Sequence, residues 1–300
     1  MSASRDNGSR NIILIADDFA ISEGVSAGIT RLGEARRISG TSALVTLARW
    51  PHDGLHLAGL RPQIALGLHV NLTLGPPLGP MPRLALEARL PTIGTLAGKA
   101  LARRLDRHEV EAEISRQLVR FTEVTGSRPD FIDGHQHVHA MPVVREALIS
   151  AILHFYRDGR CKPLVRVPAD AAGSLLSRAG ARPKAMLLAG LSAGFAKALA
   201  AARIPANDGF AGVSGFGSST AHVRRDLSSA LQGARGLHLV MCHPGVSSEE
   251  LAALDPITTR RAAELEVLSH DNVLTPRICH PRRDSADGSI DWHCVAAGLR

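Results

Sequence analysis

Seven short apolar, β-prone runs recur along the chain, and longer stretches of helical character separate them. The runs are "IILIA" (12–16), "TSALVTL" (41–47), "IALGLHVNL" (64–72), "DFIDGH" (130–135), "LVRVP" (164–168), "GVSGF" (212–216) and "LHLVMCH" (237–243). Between them lie helical patterns such as 22–37, with Ser22 as its N-cap, 106–124 and 258–269. Parallel strands must be joined by long crossovers, usually helices, so this alternation points to a parallel sheet clad in helices. A doubly wound open sheet of the dinucleotide-binding kind carries a glycine-rich loop after its first strand, and no GxGxxG stands there. The expected fold is therefore α/β: an irregular TIM-like (β/α) barrel, short of the usual eight strands by one.

A length of 300 residues suits one such barrel domain over 11–300, preceded by a flexible tail at 1–10. The proline- and glycine-rich segment 74–100 is too long for a simple connection and is expected to form a loop over the barrel mouth. Residues 170–210 read as an alanine-rich insertion. The formal charge of +7 is spread thinly, with arginine pairs at 36–37, 103–104, 224–225, 260–261 and 282–283. No basic block with interleaved aromatics appears, which argues against a nucleic-acid partner. Cys161, Cys242, Cys279 and Cys294 show no CxxC spacing, so neither a zinc ribbon nor a thioredoxin-type site is expected, and scattered thiols fit a reducing compartment. The N-terminus has no apolar signal core, and the apolar stretch 185–196 is too short to cross a bilayer. A cytoplasmic protein without stable membrane insertion is expected, with 185–196 as a buried helix or the contact of a homodimer.

The stretch "RPDFIDGHQHVHAMP" (128–142) sets His135, His137 and His139 two apart, with Asp133 two residues before the first. On an extended backbone such residues share one side. From Val144 the pattern turns helical, so the histidines stand where a strand hands over to a helix. In βα folds the chemistry gathers at the carboxyl ends of strands, and the other runs carry unusual polar residues there too. The first ends in Asp17 and Asp18, the third holds His69, the fifth Arg166 and the last His243. Each has a structural alternative: Asp18 as a helix cap, His69 as a core histidine, Arg166 as half of an ion pair. Two adjacent carboxylates, however, repel unless a cation or shared proton relieves them. A divalent cation held by one carboxylate and two imidazoles provides that relief and leaves positions open for water and substrate.

The motifs "IADDFAIS", "LGLHVNLT", "FIDGHQHVHAMP", "NDGFAGVSGF" and "MCHPG…LAALDPITTRRAAELEVL", in that order from about residue 12 to about 270, resemble the YdjC family of carbohydrate deacetylases, also called the ChbG/HpnK family. The resemblance implies one divalent metal ion held by Asp18, His69 and His135, with magnesium or zinc foremost and manganese, cobalt or iron also compatible. It implies Asp17 as general base and His243 as general acid. Asp133 would then orient a ligand imidazole, Arg166 would buttress Asp17, and His137 and His139 would stand near the substrate or behind the ligands. The implied substrate is a small acetylated saccharide or glycoconjugate whose N-acetyl amide is hydrolysed. Trp50 and the loop 74–82 are candidates for shaping its groove. Ala20 stands where the family usually has glycine, a change expected to leave the chemistry intact because alanine takes most backbone shapes. An amidohydrolase or phosphoesterase barrel would carry HxH on its first strand, where this chain has two aspartates. A catalytically inactive sugar-binding barrel would lack an acid or a base, and neither is missing.

Overall fold

In the computed structural model, residues 11–171, 173–174, 182–213, 217–270, 272 and 274–299 are described. The tail expected at 1–10 lies outside the described residues. Among these, the apolar runs supply seven strands: β1 Ile13–Phe19, β2 Gly40–Ala43, β3 Ala65–Val70, β4 Phe131–Gly134, β5 Leu164–Val165, β6 Gly209–Ala211 and β7 His238–Cys242. All pair in parallel, in the order β5-β4-β3-β2-β1-β7-β6. β6 begins three residues before the run 212–216 that was expected to form it. Gly212, at φ +107, ends the strand there: a Cβ on it would stand 2.2 Å from the carbonyl oxygen of Met241. Residues 214–216 lie outside the described residues.

The curled sheet is drawn together at its two edges with no eighth strand among the described residues. Val165 bridges Ala206, and its N–H donates to the Pro205 carbonyl at 2.8 Å. Beyond that single bridge, the Asn207 side chain takes over. Its Oδ1 accepts from Val167 N at 2.7 Å, and its Nδ2 donates to the Val167 carbonyl at 3.0 Å. An amide side chain thus mimics the backbone of a neighbouring strand, which accounts for the irregular barrel.

Alternation along the strands sorts the core into two layers. Ile13, Ile15, Phe131, Phe210, Leu239 and Met241 fill the barrel interior, while Ile12, Leu14 and Ala16 face the surrounding helices. Ile290 and Trp292 join the interior layer, and Trp292 Nε1 donates to the carbonyl of Asp130, one residue ahead of β4. Arg283 pairs with Asp130 as well and reaches the Arg61 and Ile64 carbonyls ahead of β3. The C-terminal segment therefore plugs the end of the barrel where strands begin and leaves the other end for chemistry.

The helices begin where the sequence marks them. Ser22 caps Glu23–Glu34 by accepting from Val25 N, and Asp106 caps Arg107–Thr125. Segment 74–100 is more than a loop: it contains the helix Ile93–Leu101, which packs against the turns of the histidine row. Ahead of that helix, the segment is tied to the flank of Arg107–Thr125, with Leu78 N donating to Glu113 and Arg83 N to Glu109. Stretch 185–196 is divided between the helices Arg182–Leu191 and Phe195–Ala201, with Gly194 at φ +78 between them. Phe195 is buried, whereas Met186 and Leu187 are exposed. Trp50 does not line a groove: it is fully buried, stacked on Phe121 at 5.7 Å. No helix among the described residues is long and apolar enough to cross a membrane.

Candidate active site

Two adjacent residues of a regular strand face opposite sides, so a DD pair at a strand end should send one carboxylate away from the cleft. A bulge in β1 prevents this. Pairing with β2 skips from Ala16–Thr41 to Phe19–Ala43, and Asp18 takes φ +70. Aspartate tolerates the left-handed region better than most residues, which suits it to this position. Both carboxylates end up buried among charged partners at the barrel mouth. Ala20, two residues on, is also left-handed at φ +71, so alanine is here in a conformation it disfavours, contrary to the expectation of an easy fit.

Asp17 is gripped by Arg166, whose Nη1 and Nη2 each lie 2.6 Å from one of its oxygens. Nη2 also lies 2.5 Å from Asp133 Oδ2. Asp133 and His69 are register partners on β4 and β3, and Asp133 Oδ1 accepts from His69 Nδ1 at 2.6 Å. That bond turns His69 Nε2 toward Asp18 Oδ1, 3.2 Å away. His135 Nδ1 approaches the same oxygen to 2.9 Å. His243, at the end of β7, presents Nε2 3.9 Å from Asp17 Oδ2.

The histidine row is not extended. His135–Ala140 forms tight 3₁₀ turns, with Gln136 and His137 left-handed at φ +52 and +60, so spacing by two does not give these side chains a common direction. His135 meets Asp18. His139 turns away and donates from Nε2 to the Arg166 carbonyl at 2.8 Å, a tuck that Gly134 permits because a Cβ there would stand 2.8 Å from the ring. His137 sets its ring edge against Phe210 at 5.8 Å.

The electrostatics follow from burial among alternating charges. Burial alone would raise the Asp18 carboxyl, but the Arg261 guanidinium and the His135 ring outweigh it and hold the group well below the usual carboxylate range. Burial likewise opposes a charged His69, yet Asp133 beside it raises the ring to about 10. Asp133 is held low in turn by Arg166 and His69. Burial pushes His139 down to about 4. Partial burial also lowers His243, to about 4 although its side chain is about a third exposed, with Arg261 and His69 adding to the shift.

Sequence reasoning missed four charged residues here. Arg261 Nη2 donates to Asp18 Oδ2 at 2.5 Å and also binds Asp255. Glu264 accepts from the backbone N–H of His243 at 2.5 Å and from Arg260 Nε at 2.8 Å. The arginine pair 260–261, one of five read as thinly spread charge, is buried. The available signal was its spacing from Asp255 and Glu264 around a helix start, which favours mutual pairing.

The donor set fits a divalent cation. Ligand atoms of Asp18, His69 and His135 lie within 4.8 Å of one another. Donors at right angles around a cation with bonds of about 2.1 Å stand about 3 Å apart, the separation of Asp18 Oδ1 from each imidazole nitrogen. A second combination, Asp17, His69 and Asp133, is equally close, but the Arg166 guanidinium occupies the space between its two carboxylates.

Comparison with known proteins agrees with this architecture. A chitooligosaccharide deacetylase of Klebsiella pneumoniae strain 342 is 37% identical over 130 residues, covering 43% of this chain and 50% of that protein. One from Proteus mirabilis strain HI4320 is 36% identical over 139 residues, covering 45% and 54%. The chain thus spans about half the length of the curated relatives it matches. A crystal structure of an Enterococcus faecalis V583 protein named for cellobiose-phosphate cleavage shares the fold, with a TM-score of 0.66 at 19% identity over 91% of this chain and 98% of that one. The YdjC-like protein family model matches residues 11–275, most of the chain, and the chain belongs to that family.

Proposed function

We propose that the cleft hydrolyses the N-acetyl group of an acetylated amino sugar, in a chitooligosaccharide-like saccharide or a glycoconjugate, releasing acetate and the free amine. The observation that carries this reading is the convergence of Asp18, His69 and His135 beside Asp17, with His243 across from it. The names of the matched relatives supply the substrate class.

A divalent ion held by Asp18, His69 and His135, zinc or magnesium foremost, would supply Lewis acidity, polarising the acetyl oxygen and acidifying water. Asp17, gripped by Arg166 through both oxygens, stands in one orientation to take the proton of the attacking water. His243 is neutral at pH 7 because its proton affinity is pushed down to about 4, so it delivers a proton gained during the reaction rather than one stored beforehand. Asp17, 3.9 Å from its Nε2, is the nearest source, and the departing amine is the recipient. Asp133 fixes the His69 ring with Nε2 toward Asp18, where a cation would be held. His139 and Arg166 support this arrangement from behind, and His137 lies near the substrate.

The same reading has the enzyme working in the cytoplasm, which its four unpaired cysteines support. It also has a homodimer formed through exposed Met186 and Leu187, checked by sedimentation at two concentrations. The deciding experiment measures acetate release from N-acetylated saccharides, chitobiose-like oligosaccharides included, by chelator-stripped protein reloaded with zinc, magnesium, manganese or cobalt. Metal-dependent release that His135→Ala abolishes is expected, and Asp17→Asn should bind metal yet lose at least about a hundredfold in turnover. No acetate from any saccharide despite tight metal binding would sink the reading.

A further inference from the structure

Asp18 divides its two oxygens between different kinds of partner. Oδ1 faces His135 Nδ1 at 2.9 Å and His69 Nε2 at 3.2 Å, the side on which the proposed cation binds. Oδ2 accepts a hydrogen bond of 2.5 Å from Arg261 Nη2. That guanidinium is shared: Nη2 and Nε both donate to Asp255, Nε at 3.1 Å. Arg261 and Asp18 are 3% and 2% exposed, so water does little to weaken the interaction.

We propose that Arg261 is a positioning residue that keeps Asp18 a one-oxygen ligand and holds down the affinity of the site for its divalent cation, with Asp255 setting how much of the arginine charge Asp18 feels. The inference rests on the metal reading given above. With Oδ2 committed to the guanidinium, Asp18 has one oxygen to give, and a coordination position that a chelating carboxylate would fill stays open for water and substrate. A cation on Oδ1 also lies close to a buried charge of its own sign, which weakens its binding. Asp255 offsets part of that charge, so the arginine acts as an adjustable counterweight between two carboxylates.

Backbone bonds fix the counterweight in place. Arg261 sits in the first turn of the helix Thr259–His270, and its carbonyl accepts from Gly245 N, two residues beyond His243. Glu264, in the same helix, holds the His243 backbone N–H. One helix start therefore sets the metal ligand and the proposed acid together.

The test compares the zinc and manganese affinities of stripped wild-type protein, Arg261→Met, Arg261→Lys, Asp255→Asn and His135→Ala by competition with a chromophoric chelator. Arg261→Met should tighten binding about tenfold or more, because a repelling charge is gone and Asp18 can chelate. Asp255→Asn should weaken it about threefold or more, because Asp18 then faces the undivided arginine charge. Arg261→Lys, which keeps the charge, should return affinity to near the wild-type value. A merely structural role for Arg261 predicts that both Arg261→Met and Asp255→Asn weaken binding, and that result, or an unchanged Arg261→Met, overturns the proposal. Should Arg261→Met fail to fold by circular dichroism, Arg261→Gln takes its place, and binding no tighter than wild type there overturns the proposal. If wild-type protein binds no metal, or His135→Ala binds equally well, the metal reading itself falls. Binding that depends on His135 without the opposite shifts defeats this inference only.

Discussion

Arg166→Met should be among the most damaging single changes in the protein. Arg166 is fully buried, and its one guanidinium serves two carboxylates that are themselves 1% and 0% exposed, Asp17 at 2.6 Å and Asp133 at 2.5 Å. Methionine keeps the apolar stem and removes the charge, so both carboxylates stay out of water with His69 as the remaining cationic contact of Asp133. Removing one partner of a buried pair costs about 3–5 kcal/mol, and with two anions orphaned the upper figure is expected. Against a typical total of about 5–15 kcal/mol, that is a third or more of the stability. The loss has a defined pH dependence. Arg166, then His69, outweigh burial and keep the Asp133 carboxyl below its ordinary value, so this pairing stabilises above the unfolded pKa of about 4 and is lost as pH falls through the folded one. In the variant, burial is no longer opposed by the guanidinium and the folded pKa moves up. The deficit should therefore be full at pH 7 and shrink as the solution is acidified and the carboxyl takes a proton. Urea unfolding of metal-free wild type and variant at pH 7 and pH 5 measures it. A deficit below about 1 kcal/mol at pH 7, or one that grows at pH 5, refutes the reasoning.

Changes at three further positions test other parts of the fold. His139 is buried with its ring pushed down to about 4, so the unfolded chain takes up a proton near pH 6.5 while the folded one does not; this costs about 3 kcal/mol between pH 6.5 and 4, and in His139→Gln that share of the acid slope in urea-monitored stability should vanish. At Ala20, with φ +71, glycine should keep stability within about 1 kcal/mol, because relief of left-handed strain is offset by added unfolded-state freedom, whereas Ala20→Val should lose about 2 kcal/mol or more in the same assay. Trp292→Ala empties part of the barrel plug and removes the hydrogen bond to the Asp130 carbonyl, so it should cost about 3–5 kcal/mol by thermal or urea unfolding without altering metal affinity, since the plug lies at the other end of the barrel from Asp18.

The strands and helices were legible because their signals are local. Apolar runs mark β1 to β5 and β7 to within a few residues, and Ser22 and the pattern at 106–124 mark helix starts. What closes the barrel was not legible. Asn207 completes the edge by imitating a strand with one side chain, and nothing about an asparagine in a loop announces that Val167 will be its partner. β6 was misjudged for a related reason: "GVSGF" has the composition of a strand, but the described strand stops at Ala211, where Gly212 leaves the β region at φ +107. Trp50 erred in the opposite direction. An aromatic next to a proline reads equally well as groove or core, and its stacking partner Phe121 is a long-range fact.

The same division runs through the site. Strand-end position alone gathered Asp17, Asp18, His69, Asp133, His135, Arg166 and His243, because a parallel barrel brings every strand's carboxyl end to one mouth whatever the loops do. Strand-end position does not say which way each side chain turns. Asp17 and Asp18 face the same cleft only because of the bulge and the left-handed Asp18, whereas the histidine row diverges because its backbone coils where an extended one was expected. Arg261 was invisible by strand-end logic, since it comes from a helix start. Its role follows instead from charge balance. Asp17, Asp18 and Asp133 together carry three buried negative charges, and Arg166 reaches the first and the last. Asp18 needs a counter-charge of its own that leaves one oxygen free, and the buried guanidinium of Arg261, shared with Asp255 and bonded to Oδ2 alone, meets that need.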